Sequence, residues 1–282
     1  MKIKKSEIKR KNVIGVFDSG LGGLSVLKNF IKFLPNYNYL YLGDNARVPY
    51  GEKSSETIYE YSRQAINFLF SSGCNLVIIA CNTASAQALR KLQQEYLPKH
   101  YPDGRILGVI RPLAEEVIKR NKKNIGIIGT KSTINSLSYI KEIQSLNKEI
   151  KVEQVSTPLL VPLIEEGWIK KPETKMILKK YLRPLKIKKI SMLILACTHY
   201  PFLLKDIRRI CGKNIEVPDP GEVVAKSLKK YLSNHPELKL TKVKNSKKDF
   251  CFTDNSILFK NLAEKFLKKE IKDFKLINLN EF

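Results

Sequence analysis

What this chain has little of narrows its chemistry first. It carries five cysteines, Cys74, Cys81, Cys197, Cys211 and Cys251, an odd number with no CxxC pair, which argues against a disulfide framework and a zinc knuckle. Its three histidines, His100, His199 and His235, form no metal-ligand spacing, so no metal is expected. No apolar run approaches the roughly 18 to 20 residues that cross a bilayer. The lysines of residues 1–12 have no apolar segment behind them of the signal-peptide kind, and the expectation is a cytoplasmic protein without a membrane partner. Acidic residues are scarce too: 27 Asp plus Glu face 51 Lys plus Arg, a net charge of +24. That balance invites a polyanion reading. Lysines outnumber arginines 41 to 10, however, and they are spread along the chain without interleaved aromatics or a nucleic-acid motif. The charge therefore reads as a solvated lysine-rich surface, and a nucleic-acid partner is not expected.

What is there is an alternation of short apolar runs and helical patterns, in a chain of 282 residues long enough for a substantial core. Residues 13–17, 39–42 and 76–80 read as buried strands, each followed by a helical spacing of apolar positions. A segment at 98–104 reads as a linker. Strands are then expected at 106–110, 124–129, 151–155, 192–196, 215–217 and 250–253, with helices between them. This pattern predicts an α/β fold with mainly parallel sheets. The run Asn124-Ile125-Gly126-Ile127-Ile128-Gly129-Thr130 echoes Asn12 to Ser19, so the second half restarts the plan of the first, and two similar α/β domains are expected.

One stretch organises the rest. Leu76-Val77-Ile78-Ile79-Ala80 ends on Cys81-Asn82-Thr83-Ala84-Ser85, and Met192-Leu193-Ile194-Leu195-Ala196 ends on Cys197-Thr198-His199-Tyr200, 116 residues later. In open α/β sheets ligands sit outside the carboxyl ends of the strands, where Asp18, Cys81, Thr130 and Cys197 all fall. The repeat then brings two cysteines to one ligand from opposite sides of a cleft between the domains. The glycines at 20, 22 and 23 are read as letting the backbone approach that ligand.

A thiol serves as nucleophile, metal ligand, redox centre or proton carrier. A single-nucleophile amidase needs one cysteine and a histidine base, and only Cys197 has a histidine near in sequence. A redox pair needs its sulfurs within bonding distance, which a ligand-filled cleft prevents. Two equivalent thiols suit stereoinversion: one removes a proton from one face of a carbon while the other delivers a proton to the opposite face. Ser19, Asn82, Thr83 and Thr198 are the right kinds of donor for a carboxylate, and Asp18, with the pair Glu165 and His199, can orient or deprotonate the cysteine beside each. Against this, a lone cysteine at the end of an apolar strand is most often structural. Cys74, Cys211 and Cys251 are left as packing residues, and on the residues alone Glu166 serves as well as Glu165.

At these positions the sequence resembles the glutamate racemases, cofactor-independent enzymes that supply D-glutamate for peptidoglycan. The matching segments run from Gly15-Val16-Phe17-Asp18-Ser19-Gly20 through Gly43-Asp44-Asn45-Ala46-Arg47-Val48-Pro49-Tyr50-Gly51, Ala80-Cys81-Asn82-Thr83, Pro162-Leu163-Ile164-Glu165-Glu166-Gly167 and Ala196-Cys197-Thr198-His199-Tyr200-Pro201 to Asp219-Pro220-Gly221 and Phe252-Thr253-Asp254. The resemblance implies that Cys81 acts on the D-enantiomer and Cys197 on the L-enantiomer. It implies that Asp18 assists Cys81, and that Glu165 and His199 assist Cys197. It further implies substrate contacts by Asp18, Ser19, Tyr50, Gly51, Asn82, Thr83, Thr198 and His199, no cofactor, and a homodimer. The implied fold has a first domain at 1–103 completed by 222–282, a second at 104–221, and the site in the cleft between them. The chain departs from the family at Arg111-Pro112-Leu113, where a proline-glycine step is usual, and in its basic leader and the lysine-rich segment 239–248. An aspartate racemase of the same superfamily, a polyanion-binding protein and a single-cysteine hydrolase stand as the competing readings.

Overall fold

The computed structural model describes residues 12–255, 257–267, 271 and 274–282; the basic leader lies outside them. Among the described residues, nine parallel strands form two sheets. In the first, β1 (Val13–Asp18) is flanked by β2 (Asn38–Gly43) and β3 (Cys74–Ile79), and β4 (Arg105–Gly108) pairs with β3 at one edge. The second sheet places β5 (Asn124–Gly129) between β6 (Lys151–Ser156) and β7 (Met192–Ala196). The chain then returns to the first sheet with β8 (Lys248–Phe252) against β2 and β9 (Phe274–Leu276) against β8.

The central strands are apolar because both of their faces are covered: every residue of β1 and of β7 is buried. The edge strand β6 alternates exposed Lys151 and Glu153 with partly buried neighbours, as an edge requires. The orders β2-β1-β3 and β6-β5-β7 are the same motif twice. In each, the chain leaves the central strand to one side, then crosses to the other, and the crevice where this reversal occurs is the place where α/β sheets bind ligands. Phe17 pairs with Ile79, and Gly129 with Ala196. Asp18 and Cys81 therefore emerge together at one reversal point, and Thr130 and Cys197 at the other.

The halves share a core. One apolar cluster runs from Val16, Leu24 and Tyr41 to Ile128, Leu193 and Leu195. α1 (Leu24–Phe33) packs on the helix Pro220–Asn234, which also meets the helix Ile110–Lys119. No helix among the described residues is long and apolar enough to cross a membrane.

Three expectations need correction. The segment expected to open the second domain, β4, pairs with β3 in the first sheet, so the division at 104 puts it on the wrong side. The strand at 215–217 is a single bridge between Glu216 and Met192. The start of the linker at 98–104 is helical: Pro98 falls in Leu97–His100, which continues the π-helical turn Leu92–Tyr96. Pro112 is tolerated near the start of the helix Ile110–Lys119, where its missing N–H is no loss.

Candidate active site

Cys81 lies just beyond β3 and caps α2 (Asn82–Gln87), its sulfur accepting the Ala84 N–H at 3.4 Å. The Ser19 hydroxyl is 3.4 Å from the same sulfur. Burial pushes the Cys81 thiol up to about 12, the Asp18 carboxylate adds to the effect, and Ser19 and the Ala84 N–H oppose it. Near neutral pH, Cys81 thus carries a proton it can give.

Asp18 is fully buried. The Gly20 N–H donates to its Oδ2 at 3.0 Å, and the Thr198 hydroxyl, from the other half, donates to Oδ1 at 3.2 Å. Burial raises its carboxyl above the ordinary value, against the opposing pull of His199, the Gly20 and Gly23 N–H groups and Thr198. Asp18 stands behind Ser19, which lines the cavity described below, among the groups that hold the site together.

On the opposite side, Cys197 Sγ is 3.8 Å from His199 Nδ1, and His199 Nε2 is 3.0 Å from Glu165 Oε1. Burial acts to lower the imidazole pKa, but the sulfur on one nitrogen and the carboxylate on the other outweigh it and lift it to about 10. The raised value makes His199 a cation at neutral pH, set beside the Cys197 sulfur. Of the adjacent acids, Glu165 makes this bond; Glu166 is exposed at the rim.

These groups face one cavity of about 320 Å³. The first half contributes Ser19, Tyr50, Gly51, Cys81, Asn82 and Thr83 to its wall, and the second contributes Thr130, Thr157, Glu165, Cys197, Thr198 and His199. Both sulfurs therefore border the same space from opposite halves. Tyr50 lines the cavity with its hydroxyl donating to Asp44 Oδ2 at 2.5 Å. Gly51 packs closely on the other half: a Cβ there would lie 2.9 Å from Thr130 Cβ. The glycines of the first turn do something other than admit a ligand. A Cβ on Gly22 would lie 2.2 Å from Thr198 Oγ1, and one on Gly23 would lie 2.5 Å from Asp18 Cβ, so these residues let the turn close on Thr198 and Asp18.

Sequence reasoning placed Thr130 at a strand end without giving it a role, and it missed Thr133, Thr157 and Tyr139. The Thr83 hydroxyl lies 3.0 Å from that of Thr130 and 3.3 Å from that of Thr133, and Tyr139 donates to Asn82 Oδ1 at 2.6 Å. Each of these bonds crosses between the halves, a relation that adjacency in sequence does not carry. Among the described residues, no group of three or more His, Cys, Asp or Glu side chains is placed to hold a metal ion.

The model of the Asp/Glu/Hydantoin racemase family matches residues 14–228. A glutamate racemase of Aquifex aeolicus is 40% identical over 92% of this chain and 95% of its own. The crystal structure of the Francisella tularensis glutamate racemase in complex with D-glutamate superposes with a TM-score of 0.87 at 35% identity, over 98% of this chain and all of the other. An aspartate racemase homologue from Pyrococcus horikoshii shares the fold, with a TM-score of 0.57 at 20% identity, over 79% of this chain and 99% of its own. With two thiols facing one cavity and relatives aligned along nearly its whole length, this chain belongs to the Asp/Glu/Hydantoin racemase family and stands among its glutamate racemases.

Proposed function

We propose that this protein interconverts L- and D-glutamate by passing the α-proton between Cys81 and Cys197, without a cofactor, and so supplies D-glutamate for peptidoglycan. The observation that carries this reading is the pair of sulfurs at equivalent strand ends on opposite walls of one cavity. In the L-to-D direction the Cys197 sulfur acts as the thiolate that the neighbouring His199 cation stabilises and takes the α-proton; the C–H bonding pair becomes the enediolate of the carboxylate, and Cys81 delivers its proton to the opposite face. Ser19, Asn82, Thr83 and Thr198 supply donors for the carboxylate charge that grows as the bond breaks. The D-to-L direction runs the same steps backwards, with Asp18 assisting Cys81.

The test is racemisation in deuterated water from each pure enantiomer, without added cofactor. Deuterium is expected at the α-carbon of the inverted product. Label chiefly in recovered substrate would point to one base acting on both faces and remove the two-thiol mechanism. Cys81→Ala and Cys197→Ala should each abolish inversion in both directions. Activity on aspartate alone would overturn the choice of substrate. A polyanion-binding role predicts the opposite of these results: binding that survives both substitutions and vanishes with salt.

A cytoplasmic homodimer belongs to the same reading, on the resemblance to the family. Sedimentation at assay concentration tests the oligomer, and a fully active monomer would exclude the dimer.

A further inference from the structure

Tyr139 lies on the helix Ser138–Leu146 in the second half, yet the only hydrogen bond of its side chain among the described residues goes to Asn82 at the start of α2 in the first half. The ring is fully buried among Leu113, Val117, Ile127 and Ile143, which fixes where the hydroxyl points. Burial, with Cys197 adding to it, raises the phenol pKa, so the group remains a donor at any ordinary pH.

A side-chain amide has one acceptor oxygen and one donor nitrogen, and it can present either to a ligand. With Oδ1 held at 2.6 Å by Tyr139, the end of Asn82 left over is Nδ2. Among the described residues that nitrogen has no protein partner, and Asn82 lines the cavity. Reversed, the amide would offer its oxygen to an incoming carboxylate, and two acceptors facing each other repel. Thr83, the next residue, is held by Thr130 and Thr133 across the same seam.

We propose that Tyr139 is a positioning residue that fixes the Asn82 amide with its NH2 toward a substrate carboxylate, so that a contact of the first half is set by the second. The proposal rests on the reading that this cavity binds glutamate.

Tyr139→Phe removes only the hydroxyl. It should raise KM about tenfold for both enantiomers while leaving kcat within about twofold. In an Asn82→Ala background the same substitution should add nothing, because the two residues act as one unit. A folded Tyr139→Phe protein with unchanged KM, or one whose loss is fully additive with Asn82→Ala, overturns the proposal. A variant that does not fold is replaced by Asn82→Asp, which keeps an acceptor for Tyr139 but removes the donor facing the cavity; its KM must rise at least as far, and an unchanged KM again overturns the idea. A readout independent of turnover is the side-chain NH2 signal of Asn82, assigned by its loss in Asn82→Ala. It should shift in Tyr139→Phe without any ligand, and unchanged signals overturn the proposal. Signals that respond in a protein that fails to racemise glutamate would sink the proposed function and leave the positioning role standing.

Discussion

His199 is held at both ring nitrogens, by the Cys197 sulfur at 3.8 Å and by Glu165 at 3.0 Å, and its raised pKa of about 10 needs both. Removing the carboxylate with Glu165→Gln should lower that pKa, which an imidazole titration by NMR would show directly. Proton transfer at Cys197 should suffer accordingly, with kcat/KM falling about a hundredfold, the lower end of what a positioned acid or base contributes. The loss must be equal in both directions, because the equilibrium constant between mirror images in water is unity for any variant. Glu166→Gln, one position along, should stay within about twofold of the parent, as expected for an exposed acid outside the hydrogen-bond chain. The same pKa sets a stability dependence. A group whose folded pKa is raised stabilises in full below its unfolded value, near 6.5, and this contribution fades as pH climbs through about 10. In Glu165→Gln the loss should still begin near 6.5 but be smaller and end at lower pH, and denaturant midpoints across pH 6 to 10 would show it.

At the scale of elements, the turn joining β1 to α1 is the place where reading the sequence and reading the structure differ most usefully. A glycine-rich turn after a buried strand resembles a ligand cradle, yet Gly22 and Gly23 make room for Thr198, His199 and Asp18. Gly22→Ala should therefore act on chemistry before stability: a methyl 2.2 Å from Thr198 Oγ1 and 2.6 Å from His199 Nδ1 must displace one of them. Overpacking of this kind costs about 1–3 kcal/mol. The expectation is a kcat/KM reduced at least about tenfold, with a melting temperature lowered only slightly; a large fall in melting temperature with normal kinetics in the folded fraction would show that the turn yields without disturbing the site. The strands themselves were legible because buried parallel strands are written as short apolar runs ending in polar residues, and both cysteines followed from that pattern. Strand neighbours were not: the apolar run of β4 says that it is buried and says nothing of which sheet buries it. Tyr139 was hidden for a related reason, since an aromatic at helical spacing from Ile143 reads as core, and its ring is core; only its hydroxyl is functional.

The molecule as a whole is discontinuous. The chain leaves the first sheet after β4, builds the second, and returns with β8 and β9 to pair beside β2. That return reaches the site through Thr253, just past β8, whose hydroxyl donates to Asp44 Oδ1 at 2.9 Å and accepts the Ala46 N–H at 2.9 Å. Asp44 also holds the Tyr50 hydroxyl and Arg47 Nε, so one buried carboxylate ties the returning strand to the loop that carries Tyr50 and Gly51 to the cavity. Thr253→Val keeps the shape and removes the hydroxyl from both bonds. Leaving a buried carboxylate oxygen and an N–H short of a partner costs about 1–3 kcal/mol, measurable as a lower urea midpoint with an unchanged slope. The loop it frees meets Thr130 of the other half at Gly51, so KM should rise several-fold while kcat, which depends on groups Thr253 does not touch, stays near the parent value. Thr253→Ser restores the hydroxyl and should restore both quantities. A Thr253→Val protein that loses stability yet keeps its KM would make the returning strand a brace for the first sheet alone, and the substrate loop would then owe its position to its contact with the second half.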